Sequence, residues 1–286
     1  MIGLITPLRN EAQNIPQLFD AIDSQTVRIN YWIIIENDSD DGSKKILEQQ
    51  KKRLDNVDNL KIINLKFDNK TYELGPKYAS IINYGFKYLK RNEVLDSLDF
   101  VGILDSDCFP QSSYYEELTK YMRSDPKLGI SSGIIYDFEG NADIASKDWV
   151  RGGCRLWSIS CFKDVGYFIG PSADTLSAIK AVLRGWNVYT NPDLKVYSRK
   201  LGSRVNFSYY GYSSYYRGHT LIYALLKTIK LISKGEITKG KEYISGYSKA
   251  LLTWKPRVED KEIRKYFKYY ISNSLFHKSK LRPPEY

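Results

Sequence analysis

The chain has 286 residues, 42% of them hydrophobic, and a formal net charge of +10. A chain of this length and apolar content can bury a hydrophobic core, so we expect it to fold without disulfide bonds. The three cysteines are an odd number and lack the spacing of metal ligands. No secretory signal precedes the first predicted strand. We therefore expect a reduced, cytoplasmic setting. No apolar run reaches the roughly 20 residues that span a bilayer.

Short apolar runs alternate with helical patterns over most of the chain. The β-branched content and length of these runs predict buried strands. The predicted strands are residues 2–6, 31–36, 60–65 and 100–105, and the predicted helices between them are residues 10–25, 43–54 and 76–90. Strands that alternate with helices favour parallel pairing in a doubly wound α/β sheet, which binds its ligands at the carboxyl ends of the strands.

Two carboxylates, Asp105 and Asp107, stand at the carboxyl end of the fourth predicted strand. They repel each other and are costly to remove from water unless a cation or several donors compensate. Oxygen ligands suit Mg²⁺ or Mn²⁺, which proteins commonly hold together with substrate phosphates. The pair therefore predicts a metal site that binds a nucleoside diphosphate, although a solvated acidic turn has the same pattern.

Polar loops also follow the first two strands. The first is "TPLRNEAQNI", and the second is "ENDSDDGS", which precedes a helix. Asp38, Asp40 and Asp41 of the second loop are also typical turn and capping residues. Three polar strand ends on one edge of the sheet together indicate a binding site there.

Four of these segments resemble the successive motifs of family 2 glycosyltransferases in both order and spacing. They are "LITPLRNEAQNI", "WIIIENDSDDGS", "GPKYASIINYGF" and "ILDSDCFP". The resemblance covers roughly residues 2–200 and implies a GT-A fold, which is a doubly wound, mostly parallel sheet flanked by helices. It also implies transfer of a sugar, with inversion, from a nucleoside-diphosphate sugar to a hydroxyl acceptor.

The resemblance carries over to individual positions of this sequence. The residues that it implies for nucleotide-sugar binding are Thr6, Pro7, Arg9, Glu11, Glu36, Asn37, Lys77 and Asp105. Asp105 and Asp107 match the family's D-x-D motif and are the implied ligands of Mn²⁺ or Mg²⁺. Two departures stand out: the family usually has two aspartates where this chain has Glu36 and Asn37, and "LKVYSRKLGSR" lacks the histidine that some members use as a further metal ligand.

The segment of residues 149–197 resembles the acceptor side of the same family. Gly152 and Gly153 would let the backbone approach a sugar closely. Asp174 takes the place of the last acid in the family's Glu-Asp pair, with Ala173 in place of the glutamate, and is the implied catalytic base. Asp174 also begins the predicted helix of residues 174–186, where an aspartate is a good N-terminal cap, and the two roles are compatible.

The excess positive charge lies in the C-terminal part. Residues 1–204 carry 27 basic and 27 acidic residues, whereas residues 205–286 carry 16 and 6 and also hold 12 of the 24 tyrosines. We therefore predict a catalytic domain of residues 1–204 and a basic, tyrosine-rich helical extension of residues 205–286. Amphipathic helices of this composition suit an anionic membrane surface and a lipid-linked acceptor. Packing on the catalytic domain and a contact between two copies of the chain are equally compatible.

Two further functions share parts of this pattern. Basic charge among aromatic residues is typical of nucleic-acid binding, but here it is confined to the extension, and the acidic strand ends would repel a polyanion. A sugar nucleotidyltransferase also needs two acids and a metal ion. It usually has a glycine-rich basic loop after the first strand, and "TPLRNEAQ" contains no glycine.

Overall fold

The computed structural model describes residues 1–66, 75–142, 150–199 and 206–275. The strands are β1 (Ile2–Leu8), β2 (Ile29–Asn37), β3 (Val57–Leu65), β4 (Phe100–Ile103), β5 (Cys108–Pro110), β6 (Leu128–Asp137), β7 (Leu156–Ser158) and β8 (Asn187–Ser198). The helices are α1 (Ile15–Asp23), α2 (Ser43–Lys51), α3 (Pro76–Arg91), α4 (Tyr114–Ser124), α5 (Ile159–Val165), α6 (Ala173–Leu183), α7 (Phe207–Arg217), α8 (Leu221–Ser233), α9 (Ile237–Leu252), α10 (Lys261–Lys268) and α11 (Tyr270–Leu275). Short 3₁₀ turns lie at Leu95–Ser97 and Gly152–Cys154.

Within the described residues, eight strands form one sheet in the order β3-β2-β1-β4-β7-β6-β8-β5. The pairs β2–β3, β1–β2, β1–β4 and β6–β8 are parallel. Strand β7 runs antiparallel to both β4 and β6, and β5 runs antiparallel to β8. Because β1 lies between β2 and β4 in the parallel part, the carboxyl ends of these three strands meet at one edge.

Helices cover both faces of the sheet, so the central strands are apolar on both sides. Side chains of β2 alternate between the two cores. Trp32 and Ile34 pack in the core with α1 and α4, and Ile33 and Ile35 pack in the core with α3. Full burial of one such side chain contributes about 1.5–3 kcal/mol to stability. The cores on both faces of the sheet therefore stabilise the strands whose ends form this edge.

The predicted α/β fold with parallel strands and flanking helices is confirmed. The four predicted strands correspond to β1 to β4, and the three predicted helices between them correspond to α1 to α3. Helix α1 is shorter than expected, because residues 10–14 form a bend and a turn before Ile15. The predicted domain boundary near residue 204 lies outside the described residues, so it stays a prediction.

The C-terminal segment is helical, as predicted, and part of it packs on α6. Leu176 and Ile179 of α6 form one cluster with Ile263 and Phe267 of α10. Helices α7, α8 and α9 form a second cluster among themselves. Within the described ranges, no helix has both the length and the apolar character needed to cross a bilayer.

Candidate active site

Two neighbouring cavities lie at the carboxyl edge of the parallel strands. The first, the strand-edge cavity, has a volume of about 170 Å³ and is lined by residues that include Pro7, Arg9, Glu11, Asn37, Lys77, Tyr78, Asp105, Asp107 and Arg199. The second, the helix-side cavity, has a volume of about 490 Å³ and is lined by residues that include Tyr78, Asp105, Asp107, Arg151, Gly152, Gly153, Arg155, Asp174, Tyr209 and Tyr210. Tyr78, Asp105 and Asp107 line both cavities, so the two are adjacent.

The two acids of the strand tip stand with Cys108 in one cluster, in which the ligand atoms all lie within 4.8 Å of one another. Removal from water and the charge of Asp107 raise the pKa of Asp105 to about 7. Burial raises the pKa of the Cys108 thiol well above its usual range, so the thiol stays protonated. Carboxylate oxygens are hard ligands, and a protonated thiol is a poor one. The cluster therefore suits Mn²⁺ or Mg²⁺ better than a metal ion that prefers thiolate ligands.

Both acids already have one protein partner. The Tyr78 hydroxyl donates a hydrogen bond of 2.6 Å to Oδ1 of Asp105. Arg199 donates from Nε to Oδ2 of Asp107 at 2.7 Å and from Nη2 to Oε1 of Glu11 at 2.8 Å. Burial raises the pKa of Glu11, although the Arg199 guanidinium acts in the opposite direction. Arg199 thus supplies the positive charge that the acids of the strand edge require.

Two of the predicted nucleotide-binding side chains lie below the cavity surface. The Thr6 hydroxyl is fully buried and accepts a hydrogen bond of 2.9 Å from the Trp32 indole. Glu36 is also fully buried, and its Oε1 accepts a hydrogen bond of 2.6 Å from the Ser39 backbone N–H. The structure therefore does not bring the Thr6 and Glu36 side chains into either cavity, and Glu36 instead holds the loop that follows β2.

Asn37, in contrast, lines the strand-edge cavity. It is 3% exposed, and its Oδ1 has no hydrogen-bond partner among the described residues. A buried carbonyl oxygen without a donor is costly. Asn37 is therefore suited to accept a hydrogen bond from a ligand bound in this cavity.

Each of the paired glycines in the helix-side cavity lies against one acid. A Cβ on Gly153 would stand 2.5 Å from Oδ2 of Asp105, and a Cβ on Gly152 would stand 2.7 Å from Cγ of Asp174. The Asp105 backbone N–H also donates to the Gly153 carbonyl at 2.7 Å. Each glycine thus provides the space that one acid occupies.

Asp174 lies in the first turn of α6, as predicted, and is held from behind by Arg155. The Arg155 side chain is fully buried, and its Nη2 stands 3.5 Å from Oδ1 of Asp174. Arg155 also donates hydrogen bonds to the backbone carbonyls of Val150, Arg151 and Asp174. Oδ1 of Asp174 is itself buried, whereas the side chain as a whole is 37% exposed, so Oδ2 is the oxygen that faces the cavity. The carboxylate is therefore held at Oδ1 and presents Oδ2.

The structure adds residues that the sequence patterns do not single out. Tyr78 positions Asp105, Arg155 positions Asp174, and Arg199 bonds Glu11 and Asp107. Tyr209 and Tyr210 of α7 form part of the helix-side cavity. Only Arg199 had a signal in the sequence, since it lies in the segment where a histidine ligand is absent.

Residues 4–184, more than half of the chain, match the family described as Glycosyl transferase family 2. The chain belongs to glycosyl transferase family 2. A curated relative of this family 2 chain is glucomannan 4-beta-mannosyltransferase 1 from Cyamopsis tetragonoloba, which is 23% identical over 159 residues. The match covers 47% of this chain and 29% of that relative, so the chain spans less than a third of the relative's length.

Solved structures of two glycosyltransferases resemble the family 2 chain in fold. S. aureus TarS 1-349 in complex with UDP has a TM-score of 0.53 at 14% identity, with 90% of this chain and 76% of that chain covered. The mannosyltransferase PcManGT from Pyrobaculum calidifontis, in complex with GDP-Man and Mn²⁺, has a TM-score of 0.52 at 14% identity, with 98% and 81% covered. The family 2 chain thus has the GT-A fold that its sequence implies.

Proposed function

We propose that this family 2 chain is a metal-dependent, inverting glycosyltransferase, which moves a sugar from a nucleoside-diphosphate sugar to a hydroxyl of a glycan or lipid-linked acceptor. One observation carries the proposal: the cavity that contains Asp174 adjoins the cavity at the strand edge, and Asp105 and Asp107 line both. Structural neighbours hold UDP, or GDP-Man with Mn²⁺. The family match favours neither nucleic-acid binding nor nucleotidyl transfer.

The strand-edge cavity suits the nucleotide part of the donor. Arg9, Lys77 and Arg199 bring three cationic side chains to its wall. Cations of this kind bind phosphate oxygens through charge-assisted hydrogen bonds. The buried Asn37 carbonyl offers an acceptor that a base or a ribose hydroxyl would satisfy. The nucleoside diphosphate would therefore lie across this cavity, with its sugar directed to the acids that both cavities share.

Asp105 and Asp107 are the residues that would hold the metal ion. Their two carboxylates and the protonated Cys108 fit a hard divalent cation. When bound, Mn²⁺ or Mg²⁺ supplies positive charge against which the departing diphosphate is stabilised. Tyr78 and Arg199 fix the orientation of the two carboxylates through one hydrogen bond each.

Asp174 would act as the base for the acceptor. Its Oδ2 can accept the hydrogen bond of a hydroxyl in the helix-side cavity, while Arg155 holds the carboxylate at Oδ1. The acceptor oxygen then forms a bond to the anomeric carbon while the bond from that carbon to the diphosphate oxygen breaks. The hydroxyl proton passes to Asp174, and the bonding electron pair leaves with the diphosphate.

The experiment compares donor binding with sugar transfer in two variants. Nucleoside diphosphates are titrated into the protein by calorimetry with and without Mn²⁺, and transfer is measured with radiolabelled nucleotide sugars. Asp107→Ala should lose the metal-dependent part of nucleotide binding, and catalysis with it. Asp174→Asn should bind the nucleotide as before while turnover falls by roughly 10² to 10⁴.

Asp20→Asn is the matched control, because Asp20 is an exposed acid of α1 that lines neither cavity. It should behave as the wild type in both assays. If no nucleoside diphosphate binds, with or without the metal ion, the proposal is wrong. If Asp174→Asn transfers sugar at the wild-type rate, Asp174 is only a helix-capping residue and the base is a different group.

A further inference from the structure

Helix α8 carries an apolar surface that the rest of the described chain leaves uncovered. Only the stripe of Ala224, Thr228 and Leu231 is buried, and it belongs to the side that packs on α9. The remaining large aliphatic side chains, here called the α8 ridge, are Leu221, Ile222, Leu225, Leu226, Ile229 and Ile232, which are 42–65% exposed. A helix whose apolar side chains extend this far beyond its buried stripe is unusual for a surface in contact with water alone.

A positively charged groove begins at the first residue of this ridge. Leu221 lines the groove together with the cations Arg257, Arg264, Lys265 and Lys268. Among the residues that the structure describes, none of these four cations forms an ion pair with a carboxylate. We call this feature the basic groove. It combines concentrated positive charge with direct continuity to the α8 ridge.

An exposed tryptophan lies close to the same groove. Trp254 is 88% exposed, and its backbone N–H bonds to the carbonyl of Leu251, which lines the basic groove. Leu252, at the end of α9, is 77% exposed. Tryptophan is enriched at the boundary between lipid and water, because its ring is amphipathic.

We propose that the α8 ridge and the basic groove together bind the surface of an anionic phospholipid bilayer. The aliphatic side chains of the ridge enter the boundary between headgroups and acyl chains, and the cations of the groove bind the lipid phosphates. Apolar burial and attraction to anionic lipids act together in helices that lie in the plane of the membrane. Neither feature belongs to the two cavities of the candidate active site.

Charge and side-chain chemistry favour a bilayer over other partners. A second copy of the chain would bring its own basic groove against the first, and like charges at close range repel. Nucleic acid would satisfy the groove, but the six aliphatic side chains of the ridge offer neither a stacking ring nor a hydrogen-bond donor. Helix α10, which contributes Arg264, Lys265 and Lys268 to the groove, is fixed against α6 through Ile263 and Phe267.

The test is sedimentation of the full chain with vesicles. Vesicles of phosphatidylcholine alone are compared with vesicles that also contain phosphatidylglycerol, at low and high salt. The wild type should sediment with the anionic vesicles, more weakly as salt rises, because screening shortens the reach of the cations. Leu226→Ser/Ile229→Ser and Lys265→Gln/Lys268→Gln should each lower this binding by roughly tenfold or more.

The matched control is Lys45→Gln/Lys87→Gln, which removes the same charge from exposed positions on α2 and α3 and should bind as the wild type. All substituted side chains are exposed, and circular dichroism checks that each variant is folded. The proposal is overturned by equal binding to both vesicle types, by no binding to either, or by a control that loses as much as the groove variant. It is also overturned if the ridge variant converts a dimer to a monomer in light scattering, or if the chain retains RNA but not vesicles.

Discussion

The glycine pair of the helix-side cavity allows the placement of Asp174 to be tested without altering any acid. In Gly152→Ala the added Cβ would stand 2.7 Å from Cγ of Asp174, and closer still to its Oδ2. Carbon atoms in contact lie about 3.5–4.0 Å apart, so one of the two groups must move by about 1 Å. Gly152 has a negative φ, so alanine adds this contact without backbone strain.

Asp174 is the group more able to move, because its carboxylate faces the cavity while Gly152 belongs to a 3₁₀ turn. A displacement of this size should lower turnover roughly 100-fold, since transfer of the acceptor proton depends on position. Nucleotide binding with Mn²⁺ should stay within about twofold of the wild type. Turnover is measured by the transfer assay, and nucleotide binding by calorimetry.

Gly153→Ala is the matched comparison, because its Cβ would stand 3.0 Å from Cγ of Asp105 instead. It should weaken nucleotide binding, whereas Gly152→Ala should lower turnover and leave nucleotide binding nearly unchanged. Urea unfolding of both shows whether the fold is kept. If the Gly152→Ala protein is folded and has wild-type turnover, then Asp174 is not a base whose position depends on Gly152.

Two further predictions concern ion pairs. Lys180→Met removes the partner of Asp260 at 2.7 Å and of Glu262, and loss of the partly buried Lys180–Asp260 pair should lower the free energy of unfolding by roughly 2 kcal/mol in urea. Burial opposes ionisation of Asp260, but the Lys180 hydrogen bond lowers the pKa of Asp260 below the usual 3.8. The stability difference should therefore be full above about pH 4 and shrink as the pH falls and Asp260 takes up a proton. A difference that stays constant as the pH is lowered contradicts this. Arg199→Met frees Oδ2 of Asp107, so Mn²⁺ alone should bind more tightly in calorimetry, and unchanged affinity would show that Arg199 does not compete with the metal ion.

The positions of the strands and of the strand-edge residues are predictable because they depend on local pattern. Apolar runs such as that of β2 define a buried strand, and a parallel sheet brings the strand ends to one edge. Asn37, Asp105 and Asp107 follow directly from this rule. Thr6 does not line the cavity, because within β1 alternate side chains face opposite layers, and this one meets Trp32.

Contacts between distant segments are not predictable in this way. Arg199 bonds Glu11 across 188 positions of sequence, and Arg155 reaches Asp174 only after α6 has packed on the sheet. The sequence of α10 is amphipathic, and this pattern is the same for an apolar stripe that packs on protein and for one that contacts lipid. In the structure the stripe of Ile263 and Phe267 packs on α6, whereas the uncovered apolar surface belongs to α8.

Tyr209 and Tyr210 give the C-terminal segment a place in the candidate active site, because α7 supplies part of the wall opposite Asp174. The Tyr209 ring also lies directly against Gly75, at the start of α3. Under the proposed function, the segment after residue 206 would therefore share in shaping the space for the acceptor, while the donor is bound at the strand edge. Because α10 packs on α6 and Tyr209 lies against Gly75, a change of acceptor would require this segment and the sheet-packed helices to change together.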